Sequence, residues 1–182
     1  MKEIVDRFEQ RVKEDLRKYL LSQGAIDEHF PECPDVEEKW SEIAREYLPD
    51  GAKEFKDYPA VSLGWMMFIG MAMVYYWDTD WEANAKRTDF YSKLRDMKGS
   101  DNLDETVVSD LYKYEGEGAD KVTELVAECA QRVLSLLNRE HVEPGTEMAL
   151  GCYIAALHQL YLAGMGVGLC ALGYHMTPMG QA

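Results

Sequence analysis

Two long apolar stretches decide the fold: residues 60–77, AVSLGWMMFIGMAMVYYW, and residues 149–172, ALGCYIAALHQLYLAGMGVGLCAL. Neither contains Asp, Glu, Lys or Arg, and the only strongly polar side chains of the second are His158 and Gln159. A helix that is apolar all round is buried on every side. We therefore predict two central helices, at about 60–77 and 146–173.

Both stretches are also long enough to cross a bilayer, which needs about 20 apolar residues. Their flanks are acidic, however, and no Lys or Arg asymmetry sets an orientation. The remaining predicted helices carry apolar stripes that need an apolar surface to cover. We therefore expect the two stretches to form a buried core, and we expect no membrane partner.

The rest of the chain shows helical spacing of its apolar residues, with no alternating run long enough for a strand. Five further helices are predicted: residues 3–22, a helix from Asp35 to near Pro49 and Gly51, residues 81–98 after a capping box of Thr79 and Glu82, a short helix from Asp101, and residues 119–138. Residues 1–182 are thus expected to form one all-α domain, a bundle of about seven helices.

The composition narrows the classes of partner and the location. Lys and Arg number 19 against 33 Asp and Glu, which gives a net charge of −14. This charge repels phosphate backbones, so we expect no nucleic acid partner. The four cysteines include no C-x-x-C pair, and the N-terminus lacks the apolar core of a secretory signal. These features favour a cytoplasmic location.

Small residues form a seam along the last helix. Eight positions at heptad spacing form the seam, and all but Gln159 are small: Ala149, Cys152, Ala156, Gln159, Ala163, Gly166, Cys170 and Gly173. Gly164 and Gly168 add a G-x-x-x-G beside it. Such a seam lets another helix approach closely. The sequence favours an internal contact with the helix at 60–77, through Gly64 and Gly70, and leaves a homodimer through the seam as the alternative.

The segment YYWDTDW, residues 75–81, is the first candidate site. Its candidate ligand-binding residues are Tyr75, Tyr76, Trp77 and Trp81, and its candidate catalytic residues are Asp78 and Asp80. Aromatic rings beside acids suit a planar or cationic ligand. Together with Asp101 and Asp104, the aspartates are suited to Mg²⁺. The simpler interpretation is that all four aspartates cap helices.

The second candidate site is His158 with Gln159 and Tyr161, inside the most apolar helix. His158 is a candidate catalytic residue, and the other two are candidate ligand-binding residues. A buried imidazole needs a hydrogen-bond partner, and Tyr161 is near enough on the same face. The simpler interpretation is a core histidine bonded to a tyrosine or a carbonyl.

The sequence matches no di-iron, zinc, P-loop or nucleophile motif, so no metal site and no cofactor is predicted. We expect a soluble intracellular binding or protein-interaction module. The alternative is a small-molecule enzyme or a Mg²⁺-dependent enzyme of a phosphate substrate, with its site where residues 75–81 meet His158.

Overall fold

The computed structural model describes residues 1–174, which form eight α-helices and no strand. The helices are α1 Lys2–Ser22, α2 Pro34–Asp57, α3 Pro59–Thr79, α4 Trp81–Asn84, α5 Phe90–Lys98, α6 Leu103–Glu105, α7 Gly116–Arg139 and α8 Glu147–Ala171. A 3₁₀ turn precedes α6, and a π-helical turn, Thr106–Leu111, follows it. The predicted all-α class is confirmed, as are the two central apolar helices, α3 and α8.

Helices α3 and α8 pack side by side through the middle of the bundle. Gly164 lies against the backbone of Met67, and Gly168 lies against Met71. Contacts therefore advance in the same direction along both helices, so α3 and α8 run parallel. The chain between them, which holds α4 to α7, is the crossover connection that a parallel pair requires.

Glycine permits this close approach. A Cβ built on Gly164 would lie 2.0 Å from the carbonyl oxygen of Met67, and one on Gly70 would lie 2.2 Å from that of Tyr161. Gly64, in contrast, faces Val126 of α7 with ordinary spacing. Gly70 thus faces α8 as predicted, whereas Gly64 contacts a different helix.

The two helices that are long and apolar enough to cross a membrane are α3 and α8. Within their most apolar windows, 78% of α3 and 72% of α8 are buried inside the chain. Most of the apolar surface of both helices is therefore covered by the rest of the chain. The absence of a membrane partner stays a prediction.

The outer helices cover this pair with their apolar stripes. In α1 the stripe consists of Phe8, Val12, Leu16 and Leu20, all fully buried. An ion pair of 2.8 Å between Arg132 Nε and Asp15 Oδ1 joins α7 to α1.

Helix α2 continues past its predicted end near Pro49 and Gly51 and reaches Asp57. Pro49 removes one backbone donor and its ring crowds the carbonyl four residues earlier, but packing around the next turn holds the helix. The ring of Tyr47 lies directly over Gly51, whose carbonyl accepts a 2.7 Å hydrogen bond from Ser62 Oγ of α3. Tertiary contact therefore overrides the two helix-breaking residues.

The predicted helix 81–98 is wrong, because the chain forms α4 and α5 instead. Asn84 is buried, and its Nδ2 donates to the carbonyls of Tyr76 and Asp80, which ties this segment back to the end of α3. The cap is also different: Asp80 accepts from the amide of Ala83 at 3.1 Å, while Thr79 remains in α3.

The seam of small residues lies largely inside the chain. Its middle members are buried, from Cys152 to Gly166, whereas Ala149 and Cys170 are partly exposed and Gly173 is exposed. A homodimer through this seam stays a prediction of the sequence.

Candidate functional site

The two aspartates of segment 75–81 have structural partners. Asp80 caps α4, as the simpler interpretation of the sequence had it. Asp78, near the end of α3, accepts a hydrogen bond from the hydroxyl of Tyr174, just beyond α8. These contacts give each carboxylate a role in joining or ending helices.

The aromatic residues of this segment pack on one another and on neighbouring rings. Tyr76 stacks on Phe90 at a centroid distance of 5.9 Å, and Trp77 meets Trp81 edge to face at 5.1 Å. Trp77 Nε1 donates to the carbonyl of Asn84 at 3.1 Å. The rings therefore hold α3, α4 and α5 together.

Asp101 and Asp104 lie elsewhere, on the rim of an apolar groove lined by Trp65 and Phe68 of α3 and by residues of α7. Among residues 1–174, no group of three or more His, Cys, Asp or Glu is arranged to hold a metal ion.

His158 bridges two other helices. Its Nδ1 lies 2.9 Å from Glu9 Oε1 of α1, and its Nε2 lies 2.8 Å from Glu37 Oε1 of α2. Trp40 covers the ring at a centroid distance of 4.8 Å. The partners are therefore two carboxylates rather than Tyr161, whose hydroxyl donates to Met73 Sδ inside the core.

Only a doubly protonated ring donates to both carboxylates at once. Burial disfavours the charged ring, with the side chain 12% exposed, but the hydrogen bond to Glu9 and the charge of Glu37 outweigh it. The pKa of His158 is therefore raised above its ordinary value.

The two candidate sites are far apart. Asp78 contacts Tyr174, beyond the end of α8, whereas His158 lies 13 residues before that end at Ala171. At 1.5 Å per residue this separation is about 20 Å along the helix axis. The structure does not bring segment 75–81 and His158 together.

A groove opens beside His158, with a volume of about 640 Å³. We call it the α1/α2/α8 groove, since it lies between α1, the start of α2 and α8. Its acidic lining residues are Asp6, Glu9, Glu32 and Glu37, and its one lysine is Lys13. The formal charge of the lining is thus −3 with a neutral His158 and −2 with a protonated one. Burial raises the pKa of the Cys33 thiol, so this residue adds no charge at neutral pH.

Gln159 also lines this groove and is only 5% exposed. Its Oε1 is the buried side-chain oxygen that accepts no hydrogen bond in the part of the chain the structure describes. Buried amide oxygens are normally paired, and an unpaired one needs an explanation. Gln159 is therefore a residue of the groove whose buried oxygen lacks a hydrogen-bond donor.

In the sequence, His158 and Gln159 are conspicuous as polar residues of an apolar helix, whereas Glu9, Glu37 and the rest of the groove are not. One signal was available on α1, where Asp6, Glu9 and Lys13 recur at helical spacing and form a polar row. Nothing in the sequence indicates that this row faces α8.

No family model matches the chain, no curated protein matches it and no solved structure matches it. The chemistry of the groove therefore carries the functional argument.

Proposed function

We propose that the protein is a binding module whose site is the α1/α2/α8 groove, and that it binds a small polar ligand there. The observation that carries this proposal is the unpaired Oε1 of Gln159. A buried acceptor without a donor costs about 1–3 kcal/mol of stability, and a ligand that donates to it removes that cost.

The size and shape of the groove support the proposal. Small-molecule sites commonly measure about 300–1,000 Å³ and combine apolar walls with a few polar groups. This groove has about 640 Å³, and Pro31, Pro34 and Leu162 supply apolar wall beside the carboxylates.

The hydrogen bonds of His158 also hold the walls of the groove in fixed positions. One side chain joins α1, α2 and α8 through two hydrogen bonds, so the three walls of the groove are held to each other. Rigid placement of the polar groups reduces the ordering cost of binding.

The experiment is a nuclear magnetic resonance titration of the ¹⁵N-labelled protein with four probes of similar size: n-butylguanidinium, n-butylammonium, n-butylurea and butyrate. We expect at least one N–H donor probe to cause saturable shifts of backbone amides at Glu9, Glu37 and Gln159. Gln159→Met keeps the shape of the side chain and removes the oxygen, so it should weaken that binding at least tenfold.

Leu150→Met provides the matched control, since Leu150 lies on α8 but is exposed and outside the groove. This variant should bind as the parent protein does. If no probe causes saturable shifts at the groove, or if Gln159→Met binds as well as the parent, the proposal is wrong.

A further inference from the structure

Resting on that proposed function, we infer that the ligand of the α1/α2/α8 groove is an organic cation with several N–H donors, an alkylguanidinium above all. Three properties of the groove support this inference: its charge, its surplus of acceptors and its apolar wall.

The charge selects the sign of the ligand. Four carboxylates face the groove from α1, the start of α2 and the loop before it, against Lys13 and His158. The whole chain has a net charge of −14, so the surrounding field also repels anions. A cation gains from both, whereas an anion is repelled by both.

The number of free acceptors in the groove determines how many donors a fitting ligand carries. Glu9 and Glu37 each use Oε1 for the ring of His158, so the second oxygen of each carboxylate can still accept. Gln159 Oε1 adds a neutral acceptor. A ligand that satisfies such a set carries donors on more than one edge.

A guanidinium has this property. Its planar fork presents five N–H groups and pairs with carboxylates in a bidentate manner, whereas an ammonium group acts as a compact point charge. Its weaker hydration also lowers the cost of entering a half-enclosed groove. The alkyl stem then lies along Pro31, Pro34 and Leu162.

The decisive comparison is n-butylguanidinium against n-butylurea, because the two have nearly the same shape and differ in charge. We expect the dissociation constant of n-butylguanidinium, from the same titration, to be at least tenfold lower. Its advantage should shrink in Glu37→Gln and at high salt. Glu42→Gln is the matched control: it makes the same charge change on an exposed part of α2 outside the groove.

The outcomes separate the two proposals. If n-butylurea binds the groove as tightly as n-butylguanidinium, or if Glu37→Gln and Glu42→Gln act alike, the cation is wrong and the binding module stands. If no probe binds, the proposed function itself fails.

A second arm identifies the source of the guanidinium. A blocked tripeptide with a central arginine is titrated beside n-butylguanidinium. Tighter binding of the free probe indicates a small molecule, and tighter binding of the peptide indicates an arginine side chain of a partner protein. If neither binds better than n-butylurea, the inference is overturned.

Discussion

The substitution Gly164→Ala tests the close packing of the two central helices. The added Cβ would lie 2.0 Å from the carbonyl oxygen of Met67, and the ordinary range of such contacts begins at 3.4 Å. The obstacle is backbone rather than the end of a flexible side chain, so α3 and α8 must move apart by more than 1 Å around this position.

The size of the effect follows from two opposing contributions. A gap of about 0.5–1 Å already forfeits a quarter to a half of the dispersion energy of the contacts that it opens, and overpacking costs about 1–3 kcal/mol. The higher helix propensity of alanine returns about 1 kcal/mol. Because the helices must move by more than 1 Å, the overpacking cost lies at the upper end of its range. We therefore expect a net loss of about 2 kcal/mol in the free energy of unfolding, or about 4–8 °C in Tm for a chain of this size.

Gly64→Ala is the matched control in the partner helix. Its Cβ would lie 3.5 Å from Val126 Cγ1, an ordinary van der Waals contact. This variant keeps the propensity gain without the clash, so its Tm should rise by about 2–4 °C. Thermal unfolding followed by circular dichroism measures both. Equal Tm values for the two variants, or a Gly164→Ala protein as stable as the parent, would refute the packing described.

Three further predictions concern stability. Because folding raises the pKa of His158, the stability that its ion pairs contribute is fully present below the unfolded pKa and is lost as pH rises through the folded pKa. Urea titrations should therefore show the free energy of unfolding of the parent falling relative to that of His158→Gln above about pH 6.5. Parallel plots of the two free energies against pH would contradict this. Gln159→Met removes an unpaired buried oxygen and should raise the free energy of unfolding by about 1–3 kcal/mol while it weakens binding; a loss of stability would show that the oxygen is already satisfied. Ser62→Ala removes the Oγ that donates to the carbonyl of Gly51 and pairs with the hydroxyl of Tyr153 at 2.5 Å. Chemical denaturation should show a loss of about 1–3 kcal/mol in the free energy of unfolding, while Ser41→Ala, at an exposed serine, stays within about 0.5 kcal/mol of the parent. Equal effects of the two serine variants would contradict the buried network.

The helical class and the central pair could be predicted because they depend on hydrophobic patterning along one segment at a time. An apolar stretch as long as residues 149–172 has few alternatives to a buried helix, and the stripe of α1 defines its own buried face. Boundaries depend on contacts from elsewhere. Helix α2 passes Pro49 because Ser62 and Tyr47 hold the next turn, and neither contact is visible in the local sequence.

The candidate site shows the same limit more strongly. His158 and Gln159 are conspicuous in the sequence because polar residues are rare in so apolar a helix. The partners of His158, Glu9 and Glu37, lie more than a hundred residues away along the chain and belong to helix faces that are otherwise solvated. Segment 75–81 illustrates the converse, since a locally conspicuous group of rings and acids has its partners in helix ends and neighbouring rings.

The pKa of His158, with and without bound n-butylguanidinium, tests the central claim most directly. A cation bound beside Glu9 and Glu37 disfavours the protonated ring of His158 that bridges them. By linkage, protonation of His158 weakens binding of the cation to the same degree, so the affinity of the groove for the cation falls at low pH. The ring resonances of His158, followed by nuclear magnetic resonance through a pH titration, report its pKa. The account predicts that saturation with n-butylguanidinium lowers this pKa, while n-butylurea at the same concentration leaves it in place. An unchanged or raised pKa in the presence of n-butylguanidinium would contradict a cation site at this groove.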